Sequence, residues 1–167
     1  KSALLAKLAW DLARDEPETV VIHAKAADVL HGAEVPDDAM RAVHGWVRAM
    51  ARYVNLELGR RIAFAAGDTA MRLVESSEAG GRRERTFLSA LLSRIRPSAS
   101  VVPVEFAQPE SIDPFELLRR YASEQLQTPL WLLVDDVDLG FEGRPEDRRR
   151  IVAFLSACRE LVREVPG

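Results

Sequence analysis

The sequence predicts an α/β fold: a three-layer α/β/α domain with a mostly parallel sheet and a helical insertion. Three observations carry this reading. Leu130 to Val134 is an unbroken apolar run leading straight into Asp135 and Asp136, the pattern of a strand buried on both faces of a parallel sheet. Residues 2–14 place Leu4, Leu5, Leu8 and Leu12 on one helical face, immediately ahead of a strand-like stretch. Beyond that point helical and extended patterns alternate, as in an α/β unit, rather than segregating into blocks.

Taken in order, the elements are as follows. Glu16-Pro17-Glu18 ends the first helix, and Thr19 to His23 reads as a short buried strand. Pro36-Asp37-Asp38 supplies a proline and acids for a helix start. Met40, Val43, Val47, Met50, Val54, Leu58 and Ile62 then recur at helical spacing, giving a long helix with Gly45 and Gly59 as places where it can bend. A further helix is expected over Asp68–Ser77, a loop at Gly80-Gly81-Arg82-Arg83, and another helix over Glu84–Ile95. Val101–Phe106 has strand composition, but Pro103 lacks a backbone donor and argues for a peripheral position. Pro114 to Gln125 is helical, the strand 130–135 follows Pro129, and Arg144-Pro145-Glu146-Asp147 starts a last helix. That helix shows Ile151, Phe154, Leu155, Cys158, Leu161 and Val162 on one face. The block 36–96 is longer than a minimal α/β unit needs and is read as an insertion or helical subdomain within one domain, 1–167.

Composition sets outer bounds. The 167 residues are about one domain long, with 47% hydrophobic and 29% charged residues, ordinary for a globular protein. A formal net charge of −3 gives no global push toward nucleic acid or an anionic membrane. The single cysteine, Cys158, excludes an internal disulfide framework and a cysteine-only zinc site, which fits a reducing cytoplasm. No apolar run approaches the roughly 20 residues that span a bilayer, and no signal-peptide pattern is present.

The chemistry concentrates in two places. Ligands of parallel sheets sit outside the carboxyl ends of the strands, where Asp135 and Asp136 fall. Two carboxylates about 4 Å apart repel by roughly 1–4 kcal/mol at effective dielectrics of 80 to 20, and a divalent ion reverses that penalty. The other place is Lys1-Ser2, which heads the first amphipathic helix. The alternatives are plain: the acids end a buried strand and cap the next turn, and the Lys-Ser pair is a solvated helix start.

Together these features resemble a P-loop ATPase. Leu130–Asp136 resembles the Walker B strand, and Lys1-Ser2 resembles the last two residues of a Walker A loop, G-x-x-x-x-G-K-[ST]. The resemblance implies that Lys1 reaches the β- and γ-phosphates of ATP and that the Ser2 hydroxyl ligates Mg²⁺. It also implies that Asp135 helps hold Mg²⁺, usually through water, and that Asp136 polarises the attacking water. The run Asp135-Asp136-Val137-Asp138-Leu139-Gly140-Phe141, followed by Pro145-Glu146-Asp147, is similar to bacterial P-loop ATPases of the STAND and KAP-like type. Such proteins often serve signalling or anti-phage defence, which makes a larger assembly, a homo-oligomer or a partner protein bound through flanking domains the expected context. On this reading the sheet is incomplete at both ends, lacking the strand before the phosphate loop and a later sensor strand. Asp138 is read as a turn residue in preference to a third site acid.

Other function classes fit less well. No Asn-Lys-x-Asp motif reads guanine, and the glycine after Asp136 comes at a spacing of four where switch II needs three. Small-molecule kinases also use Lys-Ser, but the acid pair after so long an apolar strand favours an ATPase. A nucleotide-binding regulator with little or no turnover, and a structural α/β interaction domain, remain as alternatives. His23 is read as a surface or core residue, and His31 and His44 lack partners at metal-ligand spacing. Cys158 is read as a core residue. Arg148-Arg149-Arg150 and Arg82-Arg83 with Arg85 are read as solvated faces, the sharper alternative being contact with a neighbouring subunit's phosphate or with nucleic acid. Trp10, Trp46 and Trp131 are placed on buried elements.

Overall fold

The computed structural model describes residues 2–33, 36, 38–84 and 112–165. Lys1, the strand expected at Val101–Phe106 and, from residue 85 on, the helix expected at Glu84–Ile95 lie outside the described residues. The described elements are α1 (Ser2–Asp15), β1 (Val20–Lys25), α2 (Ala26–Leu30), α3 (Ala39–Arg61), α4 (Asp68–Ala79), α5 (Pro114–Glu124), β2 (Leu130–Asp135) and α6 (Pro145–Glu164). The class is mixed helix and strand, with a small parallel sheet.

β1 and β2 pair in parallel from Val20↔Leu130 to Lys25↔Asp135. Pairing begins at the first residue, where the Val20 N–H donates to the Pro129 carbonyl at 2.9 Å. Because side chains alternate along a strand, this register sorts the sheet into two faces. Val20, Ile22, Ala24, Leu130, Leu132 and Val134 join the main hydrophobic cluster with α2, α3, α5 and α6. Val21, His23, Lys25, Trp131, Leu133 and Asp135 point the other way, toward α1, which touches both strands. The described sheet therefore lies between a thick helical layer and one thin helix.

Among the described residues β2 has one strand partner, and Trp131 is 44% exposed. The central position expected for residues 130–135 is therefore not what these residues display. An apolar run signals burial against something, but it does not count the strands beside it.

α3 is the hub of the core. The Asp38 carboxylate caps its start by accepting from the Arg41 N–H at 2.9 Å. From Ala49 to Gly59 almost every turn is buried on all sides. Trp46, 1% exposed, meets the Phe154 ring of α6 edge-on, with centroids 5.1 Å apart. Gly59 permits close contact with α4: a Cβ there would lie 2.1 Å from the Leu73 carbonyl oxygen. The main hydrophobic cluster gathers around α3.

Arg82 and Arg83 are structural. Arg82 reaches the buried Glu57 carboxylate at 3.1 Å. Arg83 donates to the carbonyls of Gly59 and Ile62 at 2.9 and 2.5 Å, satisfying acceptors at the end of α3. In the Arg148–Arg150 run, Arg149 pairs with Glu146 at 2.8 Å and Arg150 donates to the Leu139 carbonyl.

Candidate functional site

The carboxyl end of β2 meets the first turn of α1, and the candidate site forms there. Asp135 ends β2 on the α1 side, and its carboxylate accepts a hydrogen bond from the Ser2 hydroxyl. Residues far apart in the sequence thereby meet. Lys1, the other residue expected at this place, lies outside the described residues.

Asp135 is only 7% exposed, yet its carboxyl is held below the usual carboxylate range. The Ser2 hydrogen bond is the largest cause. The Asp136 N–H adds a second, at 2.8 Å to Oδ1, and the nearby His23 ring adds a smaller one. Together these outweigh the opposing effect of burial, because hydrogen bonds to the charged form favour it. At neutral pH the group is therefore an anion with two donors already aimed at it.

Asp136 leaves the strand with a φ of 60°. This left-handed conformation is rare outside glycine but tolerated by aspartate, whose short side chain bonds locally. It turns the chain sharply, and the Leu139 N–H closes the turn on the Asp136 carbonyl at 3.1 Å. Asp138 sits inside this turn, where its carbonyl accepts from the Phe141 N–H at 3.0 Å. The start of α6 is then fixed by Asp147, which accepts from the Glu142 and Arg144 N–H groups at 2.9 and 3.1 Å. These bonds hold the Asp147 carboxyl below its ordinary range.

Lys25 is the site residue that the sequence reading missed. Its ammonium lies 4.0 Å from the Asp136 carboxylate. The expected strand stopped at His23, whereas β1 continues to Lys25 in register with Asp135. The available signal was the equal length of the partner strand, since a parallel pair aligned from its start must bring residue 25 opposite residue 135. The discovery changes the electrostatic argument: Ser2 and Lys25 already compensate the two acids, so a divalent ion is not needed to relieve them.

The donor set nonetheless suits Mg²⁺. A serine hydroxyl and an ionised carboxylate are hard oxygen ligands, and Mg²⁺ takes its ligands at about 2.1 Å in octahedral geometry, which puts adjacent ligand oxygens about 3 Å apart. Among the described residues no group of three or more His, Cys, Asp or Glu side chains is arranged to hold a metal.

The remaining sequence candidates separate cleanly. His23 is exposed on the α1 side of the sheet, near Asp135. Cys158 packs against the core, and burial pushes its thiol up, away from thiolate chemistry. Trp46 is buried as expected, but Trp10 and Trp131 are exposed among the described residues, where α1 buries none of its residues fully. Leu155 and Val162 of α6 are likewise exposed, since Ala153 and Ala157 make the closest approach to α3. No helix among the described residues is long and apolar enough to cross a membrane. No protein-family model, curated protein or solved structure matches the chain.

Proposed function

We propose that this chain is a P-loop-type ATPase module in which Ser2 and Asp135 hold Mg²⁺-ATP and Asp136 orients the attacking water. The observation that carries the proposal is the Ser2–Asp135 hydrogen bond, which joins the first turn of a helix to the tip of an apolar strand. Bound there, the ion would neutralise charge on the β- and γ-phosphates. The chain's own contributions are distinct. Ser2 offers a hydroxyl oxygen, Asp135 an anion kept ionised by its donors, and Lys1 a cation for phosphate. Asp136, in its left-handed turn, presents a carboxylate beyond the strand end. By the same family resemblance, the module would switch or power a larger cytoplasmic bacterial protein, in signalling or anti-phage defence, as part of a homo-oligomer or partner complex.

One observation favours a second reading, a nucleotide-binding regulator with little turnover. The Lys25 ammonium lies 4.0 Å from the Asp136 carboxylate and competes with a water for that group. In that case nucleotide mainly stabilises one conformer of the host protein. Steady-state phosphate release, measured with Asp136→Asn beside the unaltered chain, separates the two. Turnover that falls at least a hundredfold while nucleotide still binds supports the ATPase; negligible turnover in both, with binding intact, supports the regulator. If neither protein binds nucleotide, both readings fail.

A further inference from the structure

A cavity of about 500 Å³ opens beside the N-terminal half of α3, and among the described residues its lining carries three arginines, Arg41, Arg48 and Arg52, together with His44. Spacings of three and four residues stack these side chains along one face of the helix. Among the described residues no aspartate or glutamate lines the cavity, although the chain carries 26 acidic residues against 23 basic ones. The concentration of positive charge is therefore local and set by the helix.

Two of the guanidinium groups are held in place. Arg48 donates from Nε to Asp113 at 2.6 Å. Arg52 donates from Nη2 to the His31 carbonyl and lies against Gly32, whose φ of 68° lets the chain turn there; a Cβ on Gly32 would sit 3.5 Å from Nη1. Each arginine has five N–H donors in a rigid fork, so both keep donors free after these contacts. The Arg41 side chain is exposed and has no hydrogen-bond or ion-pair partner among the described residues. Anchored and free guanidinium groups thus converge on one space, where among the described residues Asp113 pairs with Arg48 and leaves Arg41 and Arg52 without an acidic partner.

We propose that this cavity is a second binding site, taking a small organic molecule with two or more linked phosphate groups. Arginine forks match phosphate oxygens two at a time. A volume of 500 Å³ lies in the range of small-molecule sites and far exceeds what a single phosphate fills. Gly32, Gly45, Ala49 and Pro114 line the rest and leave room for the organic part. The site shares no residue with the Ser2–Asp135 contact and does not depend on its function.

The test is an amide NMR titration of the full chain with inorganic pyrophosphate in the absence of Mg²⁺. The expected result is saturable shifts at Gly32, Gly45 and Ala49. Arg41→Gln should weaken them about tenfold, the loss of one charge-assisted contact. Arg41→Gln/His44→Gln should weaken them further, and Ser2→Ala should leave them unchanged. Both replaced side chains are exposed, and the amide spectrum itself reports whether the variants remain folded. The proposal is overturned if these amides do not shift at millimolar pyrophosphate, or if their affinity is the same in both variants. Shifts confined to Ser2 and Asp136 would also overturn it, while leaving the proposed ATP site standing.

Discussion

The two faces of the sheet are built on different terms. Toward α3, Ile22 and Ala24 disappear into a cluster that also buries Trp46, Met50 and Val54. Toward α1, Leu133 and Asp135 are covered, but Leu4 is 72% exposed and the helix buries no residue fully. Burial at about 25 cal/mol per Å² of apolar surface stabilises the first layer far more than the second. The core of α3 therefore sets stability, while the candidate site occupies a thin layer held by a few polar contacts. Regions that must admit a ligand belong to the weakly stabilised part of a fold.

That contrast predicts unequal responses to mutation. Trp46→Ala should cost about 3–5 kcal/mol, the range for emptying a large aromatic site, read as a lower denaturation midpoint in chemical unfolding. A change below about 1 kcal/mol would show that the α3–α6 contact does not control stability.

Gly59→Ala should be the next largest effect. Its Cβ would enter the Leu73 carbonyl, a backbone group that cannot rotate away. Overpacking of this kind costs about 1–3 kcal/mol. Circular dichroism melting should show the loss, and an unchanged melting temperature would mean that α3 and α4 separate more easily than described.

Ser2→Ala sharpens the other side of the comparison. It should leave the midpoint for core unfolding nearly unchanged and raise the Asp135 carboxyl toward its ordinary value, because its strongest donor is gone. With a folded-state value below the unfolded one of about 3.9, ionised Asp135 contributes stability above that pH and loses it as pH falls through the folded-state value. Carboxyl-carbon NMR through the acid range checks this directly. A titration midpoint identical in Ser2→Ala and the unaltered chain would remove the contact.

Much of this architecture was legible in sequence, for stated reasons. The apolar run ending at Asp135 marked β2 to the residue, and proline with acids near residue 145 marked the start of α6. Helical spacing found α3, but not that it is buried all round, because Asn55 and Glu57 are residue types seldom buried without partners. They are buried with partners: Asn55 donates to the Pro114 carbonyl at 2.7 Å, and Glu57 meets Arg60 and Arg82. The meeting of Ser2 with Asp135 followed from the family resemblance. Lys25 was not legible because Ala24 and Lys25 are residue types depleted in strands, and the basic cavity was not legible because it depends on where the fold brings Gly32 and Pro114 against α3.

The central claim is that Ser2 and Asp135 form a shared Mg²⁺-nucleotide site, and its most direct test is a fluorescence titration of the full chain with a labelled ATP analogue, with and without Mg²⁺. Saturable binding should strengthen at least tenfold with Mg²⁺, and Ser2→Ala and Asp135→Asn should each abolish that dependence while the melting temperature stays close to that of the unaltered chain. Binding that is absent, or equally tight without Mg²⁺ and in both variants, would contradict the account.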